Sequence, residues 1–145
     1  MNETTSDPEI LPRDELLKLL NELLEAERAG VKVAAAYRDD ASSAPTRALL
    51  DTVHTDEARS CALLSKAIHR LGGEPSRAVG DFAERALALD DEPARLAFLN
   101  RGQRWVIRKL EAAIPRVDDA EVATWLGEML ALHVRNVLSC EELAE

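Results

Sequence analysis

At 145 residues the chain is long enough for one domain with a buried core. It is 46% apolar and 31% charged but only 3% aromatic, a balance that favours helices over a β-sandwich. The net charge of −9 and the lack of a basic stripe exclude nucleic acid as a partner, and the apolar runs are far too short to span a bilayer.

The stretch from Met1 to Pro12 is polar and predicts a disordered tail over 1–12, with the folded unit over 13–145. Its acidic start lacks the pattern of a secretory signal. Cys61 and Cys140 each fall within a helical pattern and read as reduced thiols. The compartment these features predict is the cytoplasm.

A first helix is predicted from Asp14 to Arg38, with Asp14 as its N-cap. A second begins after SSAP, with Ser43 as cap and Pro45 in the first turn, and stops at Gly72-Gly73. A third starts at DDEP, with Asp91 as cap, and ends before Pro115. A fourth opens at DDAE, where Asp118 and Glu121 have capping-box spacing, and runs nearly to the end. The links between helices one and two and between three and four are a few residues long, so each pair must be antiparallel neighbours. The link from Gly72 to Asp91 is longer and holds an amphipathic piece, DFAERALAL. The pattern predicts an all-α antiparallel four-helix bundle with one long crossover between helices two and three, the arrangement of ferritin-like bundles.

Each helix has an apolar stripe at spacings of three and four, and each stripe is broken near its middle by one polar residue. Helix one reads Leu20, Leu23, Leu24, Glu27, Val31, Ala34. Helix two reads Leu50, Val53, Glu57, Cys61, Leu64. Helix three reads Leu96, Leu99, Gln103, Val106, Leu110, and helix four Val122, Leu126, Met129, His133, Val137, Cys140. A rise of about 1.5 Å per residue puts the four helix midpoints in one layer to within roughly 4 Å. Glu27, Glu57, Gln103 and His133 are therefore predicted to meet inside the bundle. A lone buried carboxylate costs several kcal/mol, so the two glutamates need a protonated imidazole or a metal beside them. His54 and Cys61 lie one turn either side of Glu57 and are further candidate neighbours, whereas His69 reads as a favourable charge at a helix C-terminus.

These segments resemble the ferritin-like superfamily over nearly the whole chain after the tail. LNELLEAERAG resembles the first helix of rubrerythrin- and bacterioferritin-like proteins, in which the Glu matching Glu27 is a metal ligand. TDEARSCALLSKAIHRLGGEP resembles their second helix, whose Glu-x-x-His motif places its Glu on Glu57. LGGEPS, LNRGQRWVIRKL and MLALHVRNV resemble a bacterial ferritin-like family to which no function is assigned. The resemblance implies a di-iron site built from a Glu on each of two helices and a Glu-x-x-His pair on each of the others. This chain departs from that set: Ser60 stands at the second-helix His, Gln103 at the third-helix Glu, and Leu130 three residues before His133. Two carboxylates do not neutralise two irons, so a working di-iron oxidase is not expected.

Three functions stay open. One is a non-catalytic structural or interaction module with a degenerate site, expected as a homodimer with an unknown protein partner. A second is a protein holding a single ion (Fe, Mn or Zn) through Glu27, Glu57 and His133, with a redox or oxidative-stress role. The third is a small-molecule or anion binder. Arg101, Arg104, Arg108 and Lys109 make helix three locally basic, and the bland reading pairs them with acids such as Glu111. The sharper reading makes Arg101, Arg104, Trp105 and Arg108 a partner or anion surface. Phe98, Gly102 and Trp105 share a second face of that helix, open either to the crossover or to a dimer contact.

Overall fold

A computed structural model describes residues 8–144. Its helices are α1 (Arg13–Asp39), α2 (Ala44–Arg70), α3 (Phe82–Leu87), α4 (Glu92–Ala113) and α5 (Ala120–Ala144), with a 3₁₀ turn at Ile114–Arg116. The fold is the expected all-α bundle of four long helices. The third and fourth helices of the sequence reading are α4 and α5, and the amphipathic piece of the crossover is α3.

Ion pairs and caps at the helix ends fix the directions. Arg13, at the start of α1, donates to the Leu71 carbonyl just past α2, while Arg38 at the other end meets Asp51 near the start of α2. Arg70, ending α2, pairs with Asp119 just before α5 at 2.9 Å. Arg95, in the first turn of α4, reaches Asp40 just past α1 at 3.0 Å. Neighbours around the bundle therefore run antiparallel. α2 stops in a C-terminal turn that Gly72 closes with φ +79°, a conformation glycine adopts at no steric cost.

Two caps stand where the sequence placed them. The Ser43 side chain accepts from Thr46 N and that of Asp91 from Ala94 N. Replacing Asp91 with Ala leaves that amide without its acceptor and is expected to cost about 1 kcal/mol, read as a lower denaturant midpoint at unchanged slope. Two caps differ. Pro12 precedes α1 without a side-chain cap bond, and Asp14 sits exposed inside the first turn. At α5 the cap is Asp119, not Asp118: the Asp119 carboxylate accepts from Val122 N at 3.0 Å. The predicted tail is also held at its end. Leu11 N donates to the Arg116 carbonyl, and Arg116 donates to the Glu9 carbonyl at 2.7 Å, so backbone inside 1–12 is tied to the α4–α5 turn. Residues 1–7 of that tail lie outside the described residues.

The core has two lobes separated by the polar layer. One centres on Leu20, Leu23, Leu64, Leu110, Leu126 and Met129, and the other on Val33, Tyr37, Leu50, Val53 and Leu99. The expected stripes of α4 and α5 are buried at every position. On α1 and α2 they drift: Val31 and Cys61 are half-buried, and Gly30, Val33 and Ser60 take the inward positions. A straight helix turns 3.6 residues per turn, so a stripe counted in fours slips off the core after a few turns.

The crossover docks on α1 and narrows the gap between α1 and α4. The Asn21 side chain donates to the Glu74 carbonyl and accepts from Ser76 N, Glu25 accepts from the Ser76 hydroxyl, and Arg28 donates to the Ser76 carbonyl. Tyr37 donates its hydroxyl to the Ala86 carbonyl at 2.6 Å, holding α3 down. Phe82 of α3 stacks on Phe98 of α4, with ring centroids 4.8 Å apart, and fills the space that a side chain at Gly102 would need. Phe98 and Gly102 on the second face of helix three thus meet the crossover, while Trp105 is half-buried and borders the space between them. The described helices include none long and apolar enough to cross a membrane.

Candidate metal centre

The four stripe-breaking residues meet in the interior. Glu27 on α1, Glu57 on α2, Gln103 on α4 and His133 on α5 are all buried, Glu27 to 1% exposure. One ligand atom from each of Glu27, Glu57 and His133 lies within 4.8 Å of the other two. His54 and Cys61 contribute no atom to that group. Gln103 Nε2 donates to Glu57 Oε1 at 3.0 Å, while its own Oε1 has no hydrogen-bond partner.

His133 is oriented from behind. Its Nδ1 lies 2.8 Å from the Met129 carbonyl, and a carbonyl only accepts, so Nδ1 carries a proton. That leaves Nε2 facing the carboxylates, 2.9 Å from Glu27 Oε2. A ring nitrogen freed inward while the other is tied to backbone is the way proteins present a metal-ligating histidine.

Electrostatics point the same way. Burial pushes the Glu27 carboxyl up to about 7, opposed by a hydrogen bond from Glu57. Glu57 is raised well above the usual carboxylate range, first by burial and then by the Glu27 charge and a hydrogen bond to Glu27, with His133 opposing. Two carboxylates this close in an apolar interior cannot both ionise, so without a cation the pair holds a proton between them. Cys61 is pushed up to about 12 by burial and by the two glutamates, which keeps it a thiol at neutral pH. Both cysteines are free.

Two features of the site carry no stripe signal. Gly30, one turn after Glu27, leaves α1 bare where the Glu57 carboxylate packs, and an added Cβ would overlap that carboxylate. Gly30→Ala is expected to displace Glu57 and destabilise the fold by about 1–3 kcal/mol. Urea melts check the energy. The second feature lies beside Glu57, where buried Asp56 pairs with Arg135 at 2.7 Å and accepts from Asn136 at 3.1 Å, locking α2 to α5. A glycine and a long-range ion pair are both invisible to apolar periodicity.

The basic segment of α4 does not form one surface. Arg104 pairs with Glu141 on α5, and Lys109 reaches Glu22 on α1 at 4.0 Å. Arg101, Trp105 and Arg108 instead border a cavity of about 650 Å³ between α1, the crossover and α4, and Glu27, Glu57, Gln103 and His133 line its inner end.

A family model described as a domain of unknown function, DUF6306, matches residues 14–142. The chain belongs to the DUF6306 family. No curated protein matches it. Among solved structures, this DUF6306 chain is similar to a two-domain protein from Anabaena variabilis containing DJ-1/ThiJ/PfpI-like and ferritin-like domains. The TM-score is 0.73 at 17% identity, over 92% of this chain and 37% of that one. The likeness supports a ferritin-like fold; the DUF6306 chain spans little more than a third of that protein's length.

Proposed function

We propose that this DUF6306 chain is a metalloprotein that holds one divalent ion through Glu27, Glu57 and His133. The observation that carries the reading is the convergence of three buried donors from three helices, with His133 Nε2 turned inward by the Nδ1–Met129 bond. The donor set fits one ion and not two. Two carboxylates balance the charge of a single divalent ion, and Ser60 and Leu130 offer nothing equivalent for a second. Gln103 Oε1, buried and without a partner, is a neutral oxygen beside the group. The mixed carboxylate and imidazole set suits Fe, Mn or Zn, and such an ion would supply a Lewis acid or, for Fe and Mn, a redox centre.

A second reading rests on a different observation. The Glu27–His133 and Gln103–Glu57 hydrogen bonds leave both carboxylates partnered without an ion, which supports a non-catalytic structural bundle. A second copy of the chain would cover Val134 and Leu138, 39% and 59% exposed one turn apart on α5.

Melting the protein in chelator and then with excess Zn(II), Mn(II) or, anaerobically, Fe(II) separates the two. An ion at 100 times its Kd stabilises by about 2.7 kcal/mol, a shift of several degrees. No shift with any of the three favours the structural bundle.

A further inference from the structure

The outward positions Gly127, Ala131, Val134 and Leu138 of α5 are uncharged, in a chain that is 31% charged. They are spaced four, three and four, the spacing of a coiled-coil seam. Val134 and Leu138 stay well exposed, so the bundle itself does not use this seam. Gly127 is the odd member. Glycine inside an exposed helix costs about 1 kcal/mol against alanine. No neighbouring atom among the described residues lies within 4 Å of where its Cβ would stand, so nothing in the bundle calls for glycine there. A second helix crossing close to the backbone would. Charge then selects the partner and its direction. Glu128 and Arg135 each follow a seam position, Gly127 and Val134, by one residue, and so border the same edge of the seam. Each has a partner on α2, Arg59 and Asp56, yet both remain exposed.

We propose that the chain forms a two-fold antiparallel dimer through the Gly127–Leu138 face of α5. The axis passes between Ala131 and Val134 and sets each of these against the other across the contact. The same register lays Leu138 of one copy over Gly127 of the other, large against small. It also brings Glu128 of one copy to Arg135 of the other, and the symmetry repeats the pair. A parallel pair would face Gly127 with Gly127, leaving a gap, and would bring no Glu128 to an Arg135. The pairing rests on the second reading for its partner, another copy of the chain, and adds the direction, the register and the charge contacts. The seam lies on the outside of the bundle, so binding is measured in chelator, apart from any metal measurement.

The test begins with sedimentation velocity of the full chain over a range of concentrations, where a dimer with Kd below about 100 μM is expected. Glu128→Arg sets like charges against each other at both ends of the seam. It should raise that Kd at least about tenfold while the melting temperature of the dilute protein changes little, because the side chain is on the surface. Direction and register are read with a short bis-maleimide, above the measured Kd. Gly127→Cys with Leu138→Cys in one chain should crosslink two copies, since each new thiol meets the other across the axis. Either change alone should not, because each position lies about 11 residues, roughly 16 Å, from its own counterpart. Wild type, with Cys61 half-buried and Cys140 buried, is the control for the native thiols. A monomer at every concentration would overturn both the pairing and the covered face of the second reading. A dimer in which a single variant crosslinks, in which the double variant does not, or whose Kd ignores Glu128→Arg would overturn the pairing and leave that reading standing.

Discussion

Glu57→Gln is expected to abolish ion uptake while leaving the bundle folded. Shape is kept: the new amide oxygen still accepts from Gln103, now 3.0 Å away, and its NH₂ donates to Glu27 as the protonated carboxyl does. Charge is not kept, and one of three donors is lost. Removing a group that merely orients a ligand already weakens metal binding about 10–100-fold, so loss of a ligand itself should exceed about 100-fold. Stability in chelator should change in the other direction, and only at high pH. Burial holds the Glu57 carboxyl well above the usual carboxylate range and favours its neutral form at the lower pH, so at pH 6 the variant is expected to stay within about 1 kcal/mol of wild type. At pH 9 wild type must bury a charge or hold a proton against the solvent, and the variant should be the more stable by about 1–3 kcal/mol. Parallel urea melts at the two pH values, with and without Zn(II), check each part.

The second large effect is the pH dependence of wild-type stability. Glu27 titrates near 7 in the fold against 4.5 as its ordinary value. Between those values the folded chain keeps a proton that the unfolded chain releases, so stability falls as pH rises through the window. The raised value is worth on the order of 3 kcal/mol, present in full below pH 4.5 and lost by about pH 8. Glu57 is raised as well, first by burial and then by the Glu27 charge, and adds to the decline. Asp119, Glu92 and Glu128 are lowered by their hydrogen bonds, chiefly with Arg70, Ser42 and Arg59, and their stability is gained below the window as pH rises to about 4.5. The slope from pH 5 to 8 therefore belongs mainly to the buried pair. In chelator the melting temperature should fall across that range. With a saturating ion it should hold or rise, because the ion replaces the protons and binds more tightly as they leave. Calorimetric scans at half-unit steps, with and without the ion, give both curves. A flat curve in chelator would contradict the assignment of a shared proton to Glu27 and Glu57.

The helical design was legible because it is local. Apolar periodicity, two prolines at first turns and the Gly72-Gly73 stop are read along the chain, and they delimit four long helices. The meeting of Glu27, Glu57, Gln103 and His133 was legible for one further reason: a single polar residue interrupts each stripe at a similar height. Features that depend on what lies across the bundle were not. Asp118 and Asp119 are adjacent and chemically identical, and only the path of the chain selects Asp119 as the cap. Gly30 matters through the Glu57 carboxylate, and Asp56 through Arg135, a partner 79 positions away. His54 falls near the inward face by helical counting, yet it is only half-buried and donates no atom to the cluster. The cavity exists because α3 wedges between α1 and α4, and the course of a long link cannot be read from its composition.

The most direct test of the central claim is the ion stoichiometry of the full chain. Protein stripped with chelator is loaded separately with Zn(II), Mn(II) and, anaerobically, Fe(II), desalted, and assayed for metal per chain by elemental analysis, beside Glu57→Gln. One ion per chain in wild type and none in the variant is the predicted result. Two irons per wild-type chain, or none of any metal, would contradict it.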